Sequence, residues 1–243
     1  MKVSSRCYAV TGLGYIPPWE VNAGFAVGDR LTLVVDTGPS ALAAQTIFGY
    51  ARAASPSNRI IALNTEPHFD HMGGNCFFAA QGVQIYGHEL ICRGEDAVEH
   101  NIASLDESTL DLKRRHDHEA EIFFSGTTVE NPTTPFSDPF QIDLGSLSAD
   151  IILLPGHTAA NTGVWLPSEG VLFAGDTMTE GYAPNLEGGS GESSWKQWLW
   201  SLEKISALSP AIVVPGHGRV MTGKAVREGI ERVRGFLARA IEG

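Results

Sequence analysis

The chain has 243 residues, 43% of them hydrophobic and 19% charged, with a formal net charge of -11. That suits a globular fold with a sizeable core, and a uniformly acidic surface argues against nucleic acid as a partner. No run approaches the ~18 apolar residues of a membrane span, and Met1 to Cys7 lacks a signal-type apolar core, so the expectation is a cytoplasmic protein that does not contact a membrane.

In chain order, Arg6 to Val10 and Gly24 to Val27 carry strand-forming residues between Gly/Pro breaks. Arg30 to Val35 is nearly continuously apolar, as a strand buried on both faces must be. It ends in the turn Asp36-Thr37-Gly38-Pro39, and an Ala-rich helix follows from about Ser40 to Ala54. A further apolar strand at 59–64 runs into Glu66-Pro67-His68-Phe69-Asp70-His71, which packs four candidate metal ligands into six positions. A short helix to Gln81 and a strand from Val83 to Tyr86 come next. Between Glu89 and Glu121, Val98, Ile102, Leu105 and Leu112 share one helical stripe, which predicts amphipathic surface helices. Thr127 to Pro139 reads as a loop. Together these make a helical and loop insertion at about 89–139, placed where a substrate lid could sit.

The second half repeats the strand-then-turn pattern at Ile151 to Leu154, Gly163 to Leu166 and Gly170 to Ala174. A Gly-rich loop from Asn185 to Ser193 precedes a helix that Ser194 and Gln197 are expected to open as a capping box. Trp195, Trp198, Leu199, Leu202 and Ile205 give that helix its apolar face. A strand from Ala211 to Val214 leads to a closing helix striped by Val226, Ile230, Val233 and Leu237. No linker divides the chain. The expectation is one α/β domain over residues 1–243, layered as helix, sheet, sheet and helix. Cys7, Cys76 and Cys92 are scattered and odd in number, which fits neither a disulfide framework nor a thiolate zinc site.

His157, Asp176 and His217 each follow an apolar strand, and strand ends converge on one rim of a sheet. They can therefore meet the loop from Glu66 to His71. Four histidines, one glutamate and two aspartates overfill one site, whereas two divalent ions about 3.5–4 Å apart use the whole set. Without a thiolate, the set suits zinc, iron or manganese, with zinc the first expectation.

The motifs Glu66-x-His68-x-Asp70-His71, Pro155-Gly156-His157-Thr158, Gly175-Asp176-Thr177 and Pro215-Gly216-His217-Gly218, preceded by Val35-Asp36-Thr37-Gly38, resemble those of the metallo-β-lactamase superfamily, in the same order. The resemblance implies a four-layer αββα sandwich. It implies Glu66, His68 and His157 on a first metal, Asp70, His71 and His217 on a second, and Asp176 between them. Family members usually have His where this chain has Glu66. The added negative charge should weaken that metal as a Lewis acid or favour a harder ion such as iron or manganese.

The implied function is a dinuclear metal-dependent hydrolase acting on a small ester, thioester, lactone or lactam, β-lactams included. A metal-bridged hydroxide would attack the carbonyl, with Asp70 orienting it. The alternative is an iron-dependent redox enzyme of the same fold. Glutathione thioester hydrolases of the family carry a helical extension that the residues after His217 are too few to supply. Asp36 is expected to accept hydrogen bonds behind the ligands rather than bind metal. Tyr182, Asn185 and His116 are candidate substrate contacts, while His88, His100 and His118 are expected to be solvated or packed.

Overall fold

The computed structural model describes residues 1–14, 20–97, 122–186, 188–189 and 191–242. Two six-stranded sheets run through them. The first has the spatial order β1 (Cys7–Leu13), β2 (Val21–Val27), β3 (Leu31–Val35), β4 (Arg59–Asn64), β5 (Gln84–His88) and β6 (Thr134–Phe136). The second runs from β7 (Phe140–Asp143) through β8 (Ser148–Leu153), β9 (Thr162–Leu166), β10 (Val171–Thr179) and β11 (Ile212–His217) to β12 (Met221–Thr222). The helices are α1 (Ala41–Ala54), α2 (Phe69–Met72), α3 (Asn75–Ala80), α4 (Glu192–Leu208) and α5 (Lys224–Glu242). Strands β3 to β6 are parallel, as are β10 and β11, and the other pairs are antiparallel.

The continuous apolar runs are explained by burial on both faces. Leu33 and Val35 of β3, with Ile61 and Leu63 of β4, meet Ile151, Val164, Phe173 and Val214 between the sheets. The alternate residues Val34, Ile60 and Ala62 turn outward onto Ala43, Ala44, Ile47 and Ala51 of α1 and Phe78 of α3. The second sheet does the same: Leu172, Ala174 and Val213 pack against Trp198, Leu202 and Ile205 of α4 and against α5. The four expected α5 residues, Val226, Ile230, Val233 and Leu237, are all buried, each stabilising the fold by about 1.5–3 kcal/mol. The result is the four-layer αββα sandwich.

Three expectations are corrected. The stretch from Thr127 to Pro139 is not all loop, because β6 lies inside it and pairs with β5, Tyr86 opposite Thr134. It is a short edge strand, and its Thr-Pro-Phe sequence carries no alternation to reveal it. The capping box is absent: α4 begins at Glu192 after Gly191 (φ 112°), with no side-chain cap, so Ser194 sits inside the first turn. Strands β7 and β12 were not anticipated; both are short edge strands. Of the helices predicted between Glu89 and Glu121, the part over 98–121, with His100, His116 and His118, lies outside the described residues, whereas residues 89–96 form turns and irregular chain rather than helix. Among those residues, no helix is long and apolar enough to cross a membrane.

Candidate metal centre

The layering brings the ends of β3, β4, β10 and β11 together at one rim between the sheets. The Thr162 amide donates to the Thr65 carbonyl at 2.8 Å, tying the two sheets directly behind the ligand loop. At Gly175 (φ 50°) a Cβ would lie 2.6 Å from Thr65 Oγ1, so glycine permits the sheets to approach there. The fold delivers Glu66, His68, Asp70 and His71 from the β4 end and α2, His157 from the β8–β9 turn, Asp176 from β10 and His217 from the last position of β11.

All seven side chains converge. Glu66 Oε2 lies 2.9 Å from His68 Nδ1 and 3.3 Å from His157 Nε2. Asp176 Oδ2 is 3.4 Å from His157 Nε2 and 3.3 Å from His217 Nε2, and its Oδ1 is 3.3 Å from His71 Nε2. Asp70 Oδ2 is 3.3 Å from His217 Nε2. Two adjoining sets could each hold a cation: Glu66, His68, His157 and Asp176, and Asp70, His71 and His217. Glu66, His71, His157 and Asp176 are buried, whereas His68, Asp70 and His217 keep part of their surface open and form the mouth.

Three of the imidazoles are aimed from behind. His71 Nδ1 donates to Asp36 Oδ2 at 2.9 Å, His157 Nδ1 to the Asn185 carbonyl at 2.9 Å, and His217 Nδ1 to the Glu20 carbonyl at 2.7 Å. A carbonyl oxygen can only accept, so Nδ1 carries the proton and Nε2 is presented to the pocket. Asp36 also accepts from the Thr65 amide at 2.7 Å and the Thr65 hydroxyl at 2.8 Å. It holds φ 61°, a left-handed conformation that Asp tolerates better than most residues.

Burial alone would neutralise these groups, but their mutual attraction outweighs it. It works against the carboxylates of Glu66, Asp70 and Asp176, yet the surrounding imidazoles hold all three below the usual range. Burial likewise lowers the imidazoles, but the carboxylates win, raising His157 to about 9 and His71 and His217 well above their ordinary value. Asp36 is the exception: its burial outweighs His71 and Thr65 and pushes it up.

The pocket fits cations on its own chemistry. Glu66 Oε1 and Oε2, His71 Nε2 and Asp176 Oδ1 are shut off from solvent and make no hydrogen bond. Four such atoms in one pocket would be costly unless shared protons or bound cations satisfied them, and cations can meet all four.

Several supporting residues carried no sequence signal. Asn22 Nδ2 donates to the Pro215 and Gly218 carbonyls and pins the turn that bears His217. Arg93 Nε donates to the Pro67 carbonyl between Glu66 and His68. Trp198 donates to the Thr177 carbonyl and packs its ring on His157, 5.3 Å between centroids. Of the expected substrate contacts, Tyr182 is exposed in the turn after β10, and Asn185 contributes its carbonyl to His157. His116 lies outside the described residues. His88 is buried at the β5 end against Phe136, and its Nδ1 accepts from the Leu90 amide.

A family model described as the Metallo-beta-lactamase superfamily matches residues 16–217. Among curated relatives, the chain is 22% identical over 223 residues to a metallo-beta-lactamase type 2 of Bacteroides fragilis, covering 89% of this chain and 78% of that protein. It is 29% identical over 147 residues to a hydroxyacylglutathione hydrolase of Methylococcus capsulatus, covering 60% of this chain and 43% of that protein. The fold is also that of the FIM-1 metallo-beta-lactamase of Pseudomonas aeruginosa, with a TM-score of 0.70 and 19% identity over 100% of this chain and 96% of that one.

Proposed function

We propose that this chain, which belongs to the metallo-beta-lactamase superfamily, hydrolyses a small ester, thioester, lactone or lactam with two divalent cations held at the rim between its sheets. The observation that carries the reading is the convergence of seven ligand side chains around four buried atoms that make no hydrogen bond. Glu66, His68 and His157 would hold one cation and Asp70, His71 and His217 the other, with Asp176 between them. When bound, such a pair supplies a water-derived nucleophile at neutral pH and an electrophile for the carbonyl oxygen. Zinc is the ion we propose first, on the four imidazoles and three carboxylates of the set.

The residues of the mouth do the rest. Asp70 stands at the open edge, where it can orient the attacking water, take its proton and return it to the leaving group. Asp36, Asn185 and Glu20 keep the imidazoles from rotating during that transfer. Tyr182, exposed in the segment after β10, is the side chain we propose as a substrate contact. The named activities of the relatives, a beta-lactamase and a hydroxyacylglutathione hydrolase, support attack on a carbonyl. The acidic chain supports a small-molecule partner over nucleic acid, and three free cysteines support a reducing, cytoplasmic compartment.

The Asp176→Ala variant tests this reading. It should lose one of two bound zinc ions and most turnover on chromogenic lactam, lactone or thioester substrates. Unchanged metal content and turnover would refute it, and stoichiometric iron with oxygen consumption in the purified wild type would point to redox chemistry instead.

A further inference from the structure

Glu66 is completely buried, and its two oxygens face different ligand sets. Oε2 lies beside His68 Nδ1 and His157 Nε2, at 2.9 and 3.3 Å, while Oε1 lies 3.2 Å from His71 Nε2. Neither oxygen receives a hydrogen bond. The contrast with Asp36 is direct. That carboxylate is equally enclosed, but it is satisfied by the Thr65 amide, the Thr65 hydroxyl and His71.

A glutamate binding one cation through one oxygen would leave its other oxygen bare in a dry pocket, because His71 Nε2, the nitrogen facing Oε1, would itself be holding the other cation. Chelation of one cation by both oxygens would turn both toward the same imidazoles, which the distances contradict. Asp176 shows the remaining arrangement, with Oδ1 toward His71 and Oδ2 toward His157 and His217. We infer, resting on the two-cation reading above, that Glu66 is a second carboxylate bridge, giving one oxygen to each cation alongside Asp176.

The chemical consequence concerns the class of cation. A second bridging carboxylate cancels a unit of charge that an imidazole would leave on the pair, and it places an oxygen ligand on both ions. Oxygen-rich, less positive sites retain hard divalent ions such as manganese(II) or iron(II) better than imidazole-dominated ones do.

Calorimetric titration of the metal-free full-length chain with manganese(II) tests the bridge. The wild type should take up two ions, and the step missing from a His217→Ala variant identifies the Asp70–His71–His217 subsite. In Glu66→Gln both steps should weaken, each by roughly 10-fold or more, since ligand-shell changes of this kind cost about 10–100-fold. In Glu66→His, which offers a donor to the His68–His157 side alone, the Asp70–His71–His217 step should weaken by a similar factor while two zinc ions still bind. Circular dichroism establishes that each variant is folded, and the histidine variant suffices if the glutamine variant is not. If the Asp70–His71–His217 step keeps its wild-type affinity in either folded variant, Glu66 is a terminal ligand and the bridge is refuted. If the wild type itself binds fewer than two ions of manganese or zinc, the two-cation reading fails and the bridge with it.

Discussion

Gly216 gives the sharpest structural test of how Asp176 is placed. It is a buried residue of β11 next to His217, and a Cβ built on it would lie 1.8 Å from Asp176 Oδ1 and 2.9 Å from the Gly175 carbonyl carbon. Carbon and oxygen in ordinary contact stay about 3.3 Å or more apart, so the Gly216→Ala variant must drive that oxygen back by about 1.5 Å. Metal–ligand distances tolerate only about ±0.2 Å, and a 1 Å misplacement at a reacting centre can cost about 100-fold in rate. The displaced carboxylate can no longer face His71, His157 and His217 together. Overpacking a buried site also costs about 1–3 kcal/mol in stability. The variant should stay folded, lose at least one bound cation on desalting and fall about 100-fold or more in turnover. The Gly49→Ala variant is the control. A Cβ there meets nothing within 4 Å on an exposed position of α1, and alanine should stabilise the helix by up to about 1 kcal/mol. Metal analysis, thermal melting and turnover on one purified batch of each variant decide the matter. A Gly216→Ala protein with both cations at wild-type affinity would refute the placement of Asp176 between the two sets.

The Asp36→Asn variant keeps the shape but presents an amide where His71 Nδ1 and Thr65 donate; metal affinity should fall about 10–100-fold, read by chelator competition, and unchanged affinity would contradict the aiming role of Asp36. In the metal-free protein His157 is raised to about 9 from 6.5, mainly because Glu66 overcomes the effect of burial. A raised group stabilises fully below its unfolded value and loses that contribution as pH climbs through the folded value. The melting temperature without metal should therefore decline between pH 6.5 and about 9, and this decline should be suppressed when cations replace the protons. A metal-free curve flat over that window would contradict the carboxylate–imidazole pairing. Burial pushes the Cys7 thiol up to about 12, whereas Cys92 is exposed; at pH 8 a thiol reagent should label Cys92 quickly and Cys7 only after unfolding, and rapid labelling of Cys7 in the folded chain would disprove its burial.

Much of this was legible in the sequence for definite physical reasons. Ile60 to Leu63 is apolar at every position, and Leu31 to Val35 at every position but Thr32, because one face packs between the sheets and the other under α1. The candidate ligands were legible because each comes within a few residues of such a run, although the strands do not stop before all of them: β10 continues through Asp176 to Thr179, and β11 includes His217. The alternation that marks one-faced strands is missing from Thr134 to Phe136 because an edge strand of three residues has too little to bury. Asn22, Arg93 and Trp198 support the site through contacts up to 196 residues apart in sequence, and nothing local distinguishes them from other polar or core residues. Glu66 shows the limit most clearly. Its type and position suggested a ligand of one ion, but the two directions in which its oxygens face became visible only when the β4 end, α2 and the β8–β9 turn were brought to the same rim.

Anomalous diffraction from a metal-loaded crystal tests the central claim most directly. Two peaks are expected in the pocket, one among Glu66, His68 and His157 and one among Asp70, His71 and His217, with Asp176 between them. A single peak, or none within reach of these side chains in a fully loaded crystal, would contradict the two-cation centre.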